Sequence, residues 1–587
     1  GTITNFNTGG NLTFWDGGTI TNWTGASMSA WDGINSGWKS GTISNINSGN
    51  IALMHDDTAI VAMKGGTINS MTGGDIEIMI AGEIVDMTGG NVNKLQSSGK
   101  ISNMSDGTVN EMSGGMVTNI TNGEIVAMSN GTVTNLRDIG LITDMSGGTV
   151  TTMHNGEIAT LRDGKVITMD NGTVDAMSGG EITTMNDGTV NLMTGGTIGA
   201  FNENATLTTW NGGTIDKFDR GTLTNWISGT INELIDGVIN LVQTNNLIKV
   251  MTDGTVTSMT GGNITTMNGG TVDSMTGGTI ANFNNGATLD VWNGGTITNF
   301  NDGLFNVWDS GTITNLNTGT IFLVSNGNTI TNMKGGTVNS MTGGNIGTIT
   351  AGTIDVMTGG TITNWKNGTL SYWDGLANNS RIENWENSTL AAWDGASSGW
   401  QSGTIGNLKS GTIGLVHDNT IIENMTGGTV TKQTGGQVQN VSGTGVIALL
   451  ENGNVGTVKS GGSITKMIDG VVNELLTGGT IGEMLGGTLT TIDGGHIGSI
   501  GNDATITNFI RGTIGDFENA ELTGWTAGTI NRFIDGRLYL IQDGNLVVVM
   551  EDCIVNSMTG GEITTINGGV VDVMTGGKIG TFNANAT

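Results

Sequence analysis

The chain has no proline, one cysteine and two tyrosines in 587 residues, and 21 Lys and Arg stand against 51 Asp and Glu. Each shortage excludes something. A lone cysteine, Cys553, cannot form an intrachain disulfide framework, and in "EDCIVNSM" it reads as a small substitute for the threonine most repeats carry. A net charge of −30 offers no basic surface to a phosphate backbone, so nucleic acid is not an expected partner. No apolar run approaches the ~20 residues that cross a bilayer, so no transmembrane segment is expected. The sequence opens at Gly1 within a repeat, without a charged-then-apolar leader. Apolar residues make up 36%, too few for conventional packed domains, yet Ile, Val and Met are too frequent for disorder.

What is abundant is glycine, 103 residues of it, in a strict rhythm. In "GGEITTMNDGTVNLMTGGTIGAF", residues 179–201, Ile182, Val190 and Ile198 recur every eight residues, and Met185, Met193 and Phe201 follow three behind. The unit is G-G-T-[IV]-x-x-[MFWLI]-x. A period of eight does not match a 3.6-residue turn, and paired glycines would cost a helix ~1 kcal/mol each. Thr-Ile-Thr-Thr-Met favours extended chain, while Asn-Gly, Asp-Gly and Gly-Gly supply the positive φ of tight corners. Each octad is therefore one short strand and one corner, and octads must stack to bury anything. The expected fold is all-β, a β-solenoid or parallel β-helix.

Two closures fit. One chain closes a coil from three octads, 24 residues, or three chains intertwine as a trimeric β-prism with one octad each per layer. The 587 residues hold about 73 octads. At ~4.8 Å per layer the first gives a rod of ~115 Å and the second ~350 Å. The single-chain coil of three octads is the expectation, because nine-residue octads and the insertion around 375–381 need then match no partner chain. Slots three apart point to opposite faces of a straight strand, so the strand is expected to bend between them.

A longer rhythm overlies the octad. Aromatic-rich segments at about 6–54, 201–242, 283–324, 365–416 and 509–541 alternate with Met-rich ones within a continuous solenoid over 1–587. Four of them close alike, as "INLVQTNNLI" from Ile239, "IFLVSNGNTI" from Ile321, "IGLVHDNTII" from Ile413 and "LYLIQDGNLV" from Leu538. No polar capping unit is visible at either end, so the rod is expected to be part of a longer fibre or to meet other subunits.

Most Trp, including Trp15, Trp23, Trp31, Trp210 and Trp226, fall in the large apolar slot and are expected in the core. Trp38 and Trp400 stand seven residues after Trp31 and Trp393, in matching "SGWKSGT" and "SGWQSGT" insertions outside that count. They are the candidate glycan contacts, since an aromatic outside the repeat needs its own reason to be there. His55 and His417 occupy equivalent corners, where related corners carry Gln243, Ser325 and Gln542, so a metal ligand pair is not expected. No metal site, cofactor or catalytic residue can be nominated. Calcium at the carboxylate-rich corners would be incidental, because the acids precede Gly in turns. No nucleophile and base come together in the regular part, so an enzyme is not expected.

The octad over nearly the whole chain resembles the β-helical needles, spikes and fibres of bacteriophage tails, some of which wind three chains in eight-residue repeats, and the repetitive surface adhesins of bacteria. The resemblance is architectural and carries no functional residue across. It implies an extracellular, cell-surface or virion-borne structural fibre that self-associates end to end or as a homo-oligomer. Cell-surface glycans are the implied partner in the adhesin reading. An ice-binding face of ranked threonines, as at Thr149 and Thr151, and a β-helical polysaccharide-cleaving enzyme are the remaining alternatives.

Overall fold

A computed structural model describes residues 1–583 and 585–587, the side chains of 376–378 excepted. The insertion around 375–381 and the terminal repeat fragment ending at Thr587 therefore lie partly outside the described residues. The chain divides into two compact units, Gly1–Gly295 and Thr296–Thr587. Both are parallel β-solenoids, together about 34 turns. No helix among the described residues is long and apolar enough to cross a membrane.

The coil has two octads, not three. Thr173 pairs with Glu157 and Thr189, and Val166 with Val150 and Ile182, each a step of 16; one-residue bulges lengthen others to 17, as in Leu207 opposite Val190. The expected 24-residue turn is thereby corrected, and the ladder closes within one chain rather than among three. The cause lies in the strand. Along Thr173–Met177 the exposure runs half-buried, buried, half-buried, half-buried, buried. Both apolar slots face inward and the two residues between them face out, so each octad is a bowed strand. Two bows joined by two glycine corners enclose a thin double layer of Ile or Val against Met, Leu or an aromatic, and these side chains are almost all without exposed surface.

The glycine pairs answer to two constraints. Gly148 has φ +85°, which L side chains rarely adopt. A Cβ there would also lie 2.6 Å from Cε of Met128 in the preceding coil and 2.9 Å from the Gly131 carbonyl oxygen. The methionine thus reaches under the next corner, and the corner must be bare to receive it. Large rings stack in the same slot: Trp210 lies 4.9 Å from Trp226 with planes 8° apart, and Trp365 lies 5.3 Å from Trp385 at 10°. Outside, asparagines form ladders from coil to coil, Asn135 donating to Asn119 Oδ1 and Asn119 to Asn103 Oδ1, each at 2.9 Å.

Cys553 does not occupy the threonine rank. It stands opposite Gly569, in the rank of the glycines, and its neighbour Ile554 opposes Val570. Its thiol is buried, faces the Glu551 carbonyl at 2.9 Å and the Phe533 carbonyl at 3.1 Å, and burial pushes its pKa up to about 11.

Candidate functional site: five breaks in the ladder

Each of the five aromatic segments ends in a corner one residue longer than the octad. At Gln243 the backbone N–H turns back to Asn246 Oδ1 at 2.7 Å, and Asn246 N–H donates to the Gln243 carbonyl at 2.9 Å. Ser325 and Gln542 do the same with Asn328 and Asn545, and His55 and His417 with the hydroxyls of Thr58 and Thr420. An N–H committed to its own corner cannot also reach the coil before it. The carbonyl it would have met is that of the preceding tryptophan, and a side chain takes over. Nε2 of Gln243 and of Gln542 donate to the Trp226 and Trp525 carbonyls at 2.8 and 2.9 Å, and Nε2 of His55 and His417 lie 2.6 and 2.8 Å from those of Trp38 and Trp400. At the serine corner Asn328 Nδ2 reaches the Trp308 carbonyl at 3.1 Å. The histidines therefore carry their proton on Nε2, since a carbonyl only accepts. The polar residue at this corner is a hydrogen-bond donor with a fixed target, and no group of three His, Cys, Asp or Glu among the described residues is placed to hold a metal.

Beside the Gln243 and Gln542 corners the parallel ladder is broken over a whole strand, and at the histidine corners it runs only as far as Ile51 and Ile413. Among the described residues no backbone hydrogen bond joins 222–226 to Val238–Val242, although both pair normally with the coils beyond them. Residues 521–525 and 537–541 are related in the same way.

The structure reverses the roles expected of the loop tryptophans. Trp38 and Trp400 are wholly buried in the core slot, 5.3 Å from Trp15 and 5.2 Å from Trp373, with planes 13° apart. No indole face of either is open to a glycan. Trp31 and Trp393 are the residues outside the register: Met28 pairs with Leu12 and Trp38 with Trp15, so the intervening chain is the insertion. Trp31 and Trp393 lie half-buried on its outside, stacked on His55 at 6.1 Å and on His417 at 5.0 Å. The insertion is tied by an aspartate that follows the tryptophan. Asp32 accepts from the N–H groups of Ile34, Asn35 and Ser36 at 2.8 to 2.9 Å, and Asp394 from Ala396, Ser397 and Ser398 at 2.8 to 3.1 Å. Three backbone donors apiece hold both carboxyls well below the usual carboxylate range.

Two of the breaks are thus roofed by the chain's own loop and three are bare. Under the roofs the outward leucines, Leu53 and Leu415, are half-buried; at the bare breaks their counterparts Leu241, Leu323 and Leu540 are 40 to 46% exposed. The residue before each leucine follows suit. It is Ala52 or Gly414 beneath a loop, and a Cβ on Gly414 would come within 2.5 Å of the Ala392 amide nitrogen. At the bare breaks it is Asn240, Phe322 or Tyr539.

No family model, curated protein or solved structure matches this chain.

Proposed function

We propose that this chain is a structural repeat protein, a stiff element of an extracellular or virion-borne fibre whose work is mechanical rather than catalytic. One observation carries the reading. Through most coils the two inward slots are filled almost without exposed surface, and the strands are joined by a parallel ladder reinforced outside by asparagine and ion-pair contacts about 16 to 19 residues apart, such as Lys100 to Glu83 at 2.8 Å. Such a body resists bending because each coil is clamped on both sides. Its surface repeats, which suits spacing and lateral regularity more than a unique pocket. The acidic exterior keeps neighbouring copies apart sideways and leaves end-to-end stacking as the favoured mode of assembly.

Electron microscopy of the purified chain tests this. Thin particles of uniform width that join end to end support it, and compact lobed particles refute it. Antibody labelling of intact cells or particles tests the placement: epitopes that become accessible only after lysis would contradict an external fibre.

A further inference from the structure

The three bare breaks open as surface clefts, of about 60 Å³ beside Trp226, 200 Å³ beside Trp308 and 300 Å³ beside Trp525. The tryptophans under them keep 5 to 8% exposure, whereas Trp38 and Trp400 under the roofs have none. Their linings carry exposed large apolar groups, Leu241 at 40%, Phe322 at 60% and Tyr539 at 61%, on faces otherwise ranked with Thr and Asn.

We propose that the clefts beside Trp226 and Trp525 dock an extended polypeptide segment of a partner protein, neutral or basic, which bonds its main chain along the broken ladder and seats an apolar side chain against Leu241 or Leu540. Two strand edges that meet without a ladder, as 222–226 and Val238–Val242 do, present main-chain donors and acceptors at peptide spacing, a pattern another polypeptide matches. The two roofed breaks show the occupant, for there the covering group is polypeptide with an aromatic ring, Trp31 or Trp393. The residue before the leucine is Ala52 or Gly414 where the chain covers itself and the larger Asn240, Phe322 or Tyr539 where it does not. At the Trp525 cleft the exposed Tyr539 ring projects outward as an anchor in place of the roof. The net charge of −30 disfavours an acidic partner.

The experiment uses the full chain and fluorescent end-blocked octapeptides of the form Lys-Thr-z-Thr-z-Thr-z-Lys, with z Trp, Phe, Leu or Val, read by anisotropy. The expected result is saturable binding by members of the panel. Binding weakens at least tenfold in the double variant Leu241→Asp, Leu540→Asp, and equally when alternate peptide amides are N-methylated. The control variant Thr118→Asp, Thr363→Asp, with the same added charge away from the clefts, binds as the parent does. The leucines point outward, so folding should persist, and circular dichroism checks it. Absence of saturation below about 1 mM overturns the proposal, as does binding indifferent to N-methylation or to the leucine variant. Cleft-dependent binding of neutral oligosaccharides or phosphatidylcholine vesicles in place of the peptides also overturns it.

Discussion

Nε2 of His417 lies 2.8 Å from the carbonyl oxygen of Trp400, seventeen residues earlier, and Nε2 of Gln542 stands in the same relation to Trp525 at 2.9 Å. An imidazole and a carboxamide thus do one job, which is to satisfy a carbonyl that the corner has deprived of its backbone partner. His417→Gln should keep most of the stability. His417→Ala leaves that carbonyl without its donor and Trp393 without its stacking partner, and should cost about 1–3 kcal/mol in denaturant unfolding. Equal losses from the two variants would contradict the donor role.

Gln433 is the polar exception in the large apolar slot. It is wholly buried, Nε2 lies 3.3 Å from the Gly435 and Asn454 carbonyls, and Oε1 has no partner among the described residues. A buried amide oxygen without a donor is costly. Gln433→Met restores the side chain used in equivalent slots and should stabilise the protein by about 1–3 kcal/mol, read as a higher denaturation midpoint. A lower midpoint would contradict this.

The contact of Met128 with the Gly148 corner predicts coupling. Gly148→Ala meets both the positive φ and the Met128 methyl, and should cost more than about 1 kcal/mol. Adding Met128→Ala removes the contact with the methionine and leaves the one with the Gly131 carbonyl oxygen, so the double variant should lose less than the sum of the singles. Simple additivity in the double-mutant cycle would show that the methionine plays no part in keeping the corner bare.

Asp32 and Asp394 fix the pH behaviour of the roofs. Both pKa values lie below the unfolded value, so the ionised form contributes stability that is present above the ordinary carboxylate range and is lost as pH falls through the depressed native pKa. The fluorescence of Trp31 and Trp393, read as the difference between the parent and a Trp31→Phe, Trp393→Phe variant, should hold from neutrality through the pH at which exposed carboxylates titrate and change only in stronger acid. A change centred at the ordinary aspartate pKa would contradict the three-donor geometry.

Much of this was legible in the octad. Ile182 and Met185, three apart, announced two inward slots and a bent strand, and the aromatic segments end at Met54, Val242, Val324, Val416 and Ile541, each next to a break. The number of octads per coil was hidden, because a pattern that repeats every eight residues is the same whether two or three bows close the turn. A signal did exist in asparagines spaced 16 apart, Asn103, Asn119 and Asn135, which ladder across adjacent coils. The tryptophans were misassigned because counting ran forward from Trp23 into the insertion. Counted backward, Trp38 precedes Ile43 by five, as Trp15 precedes Ile20, and the slot becomes plain. The shared closing motif marked where the breaks lie, but that a backbone bond is missing there shows only in the register.

The two-octad coil is tested most directly by cross-linking Thr184→Cys with Thr168→Cys in a Cys553→Ser background, both threonines lying on outward positions of paired strands. Neighbouring strands sit within the Cα separation a disulfide needs, so oxidation should form an intrachain bridge rapidly and without loss of structure. A bridge that forms instead between Thr184→Cys and Thr160→Cys, 24 residues apart, or only between chains, would contradict the coil and everything built on it.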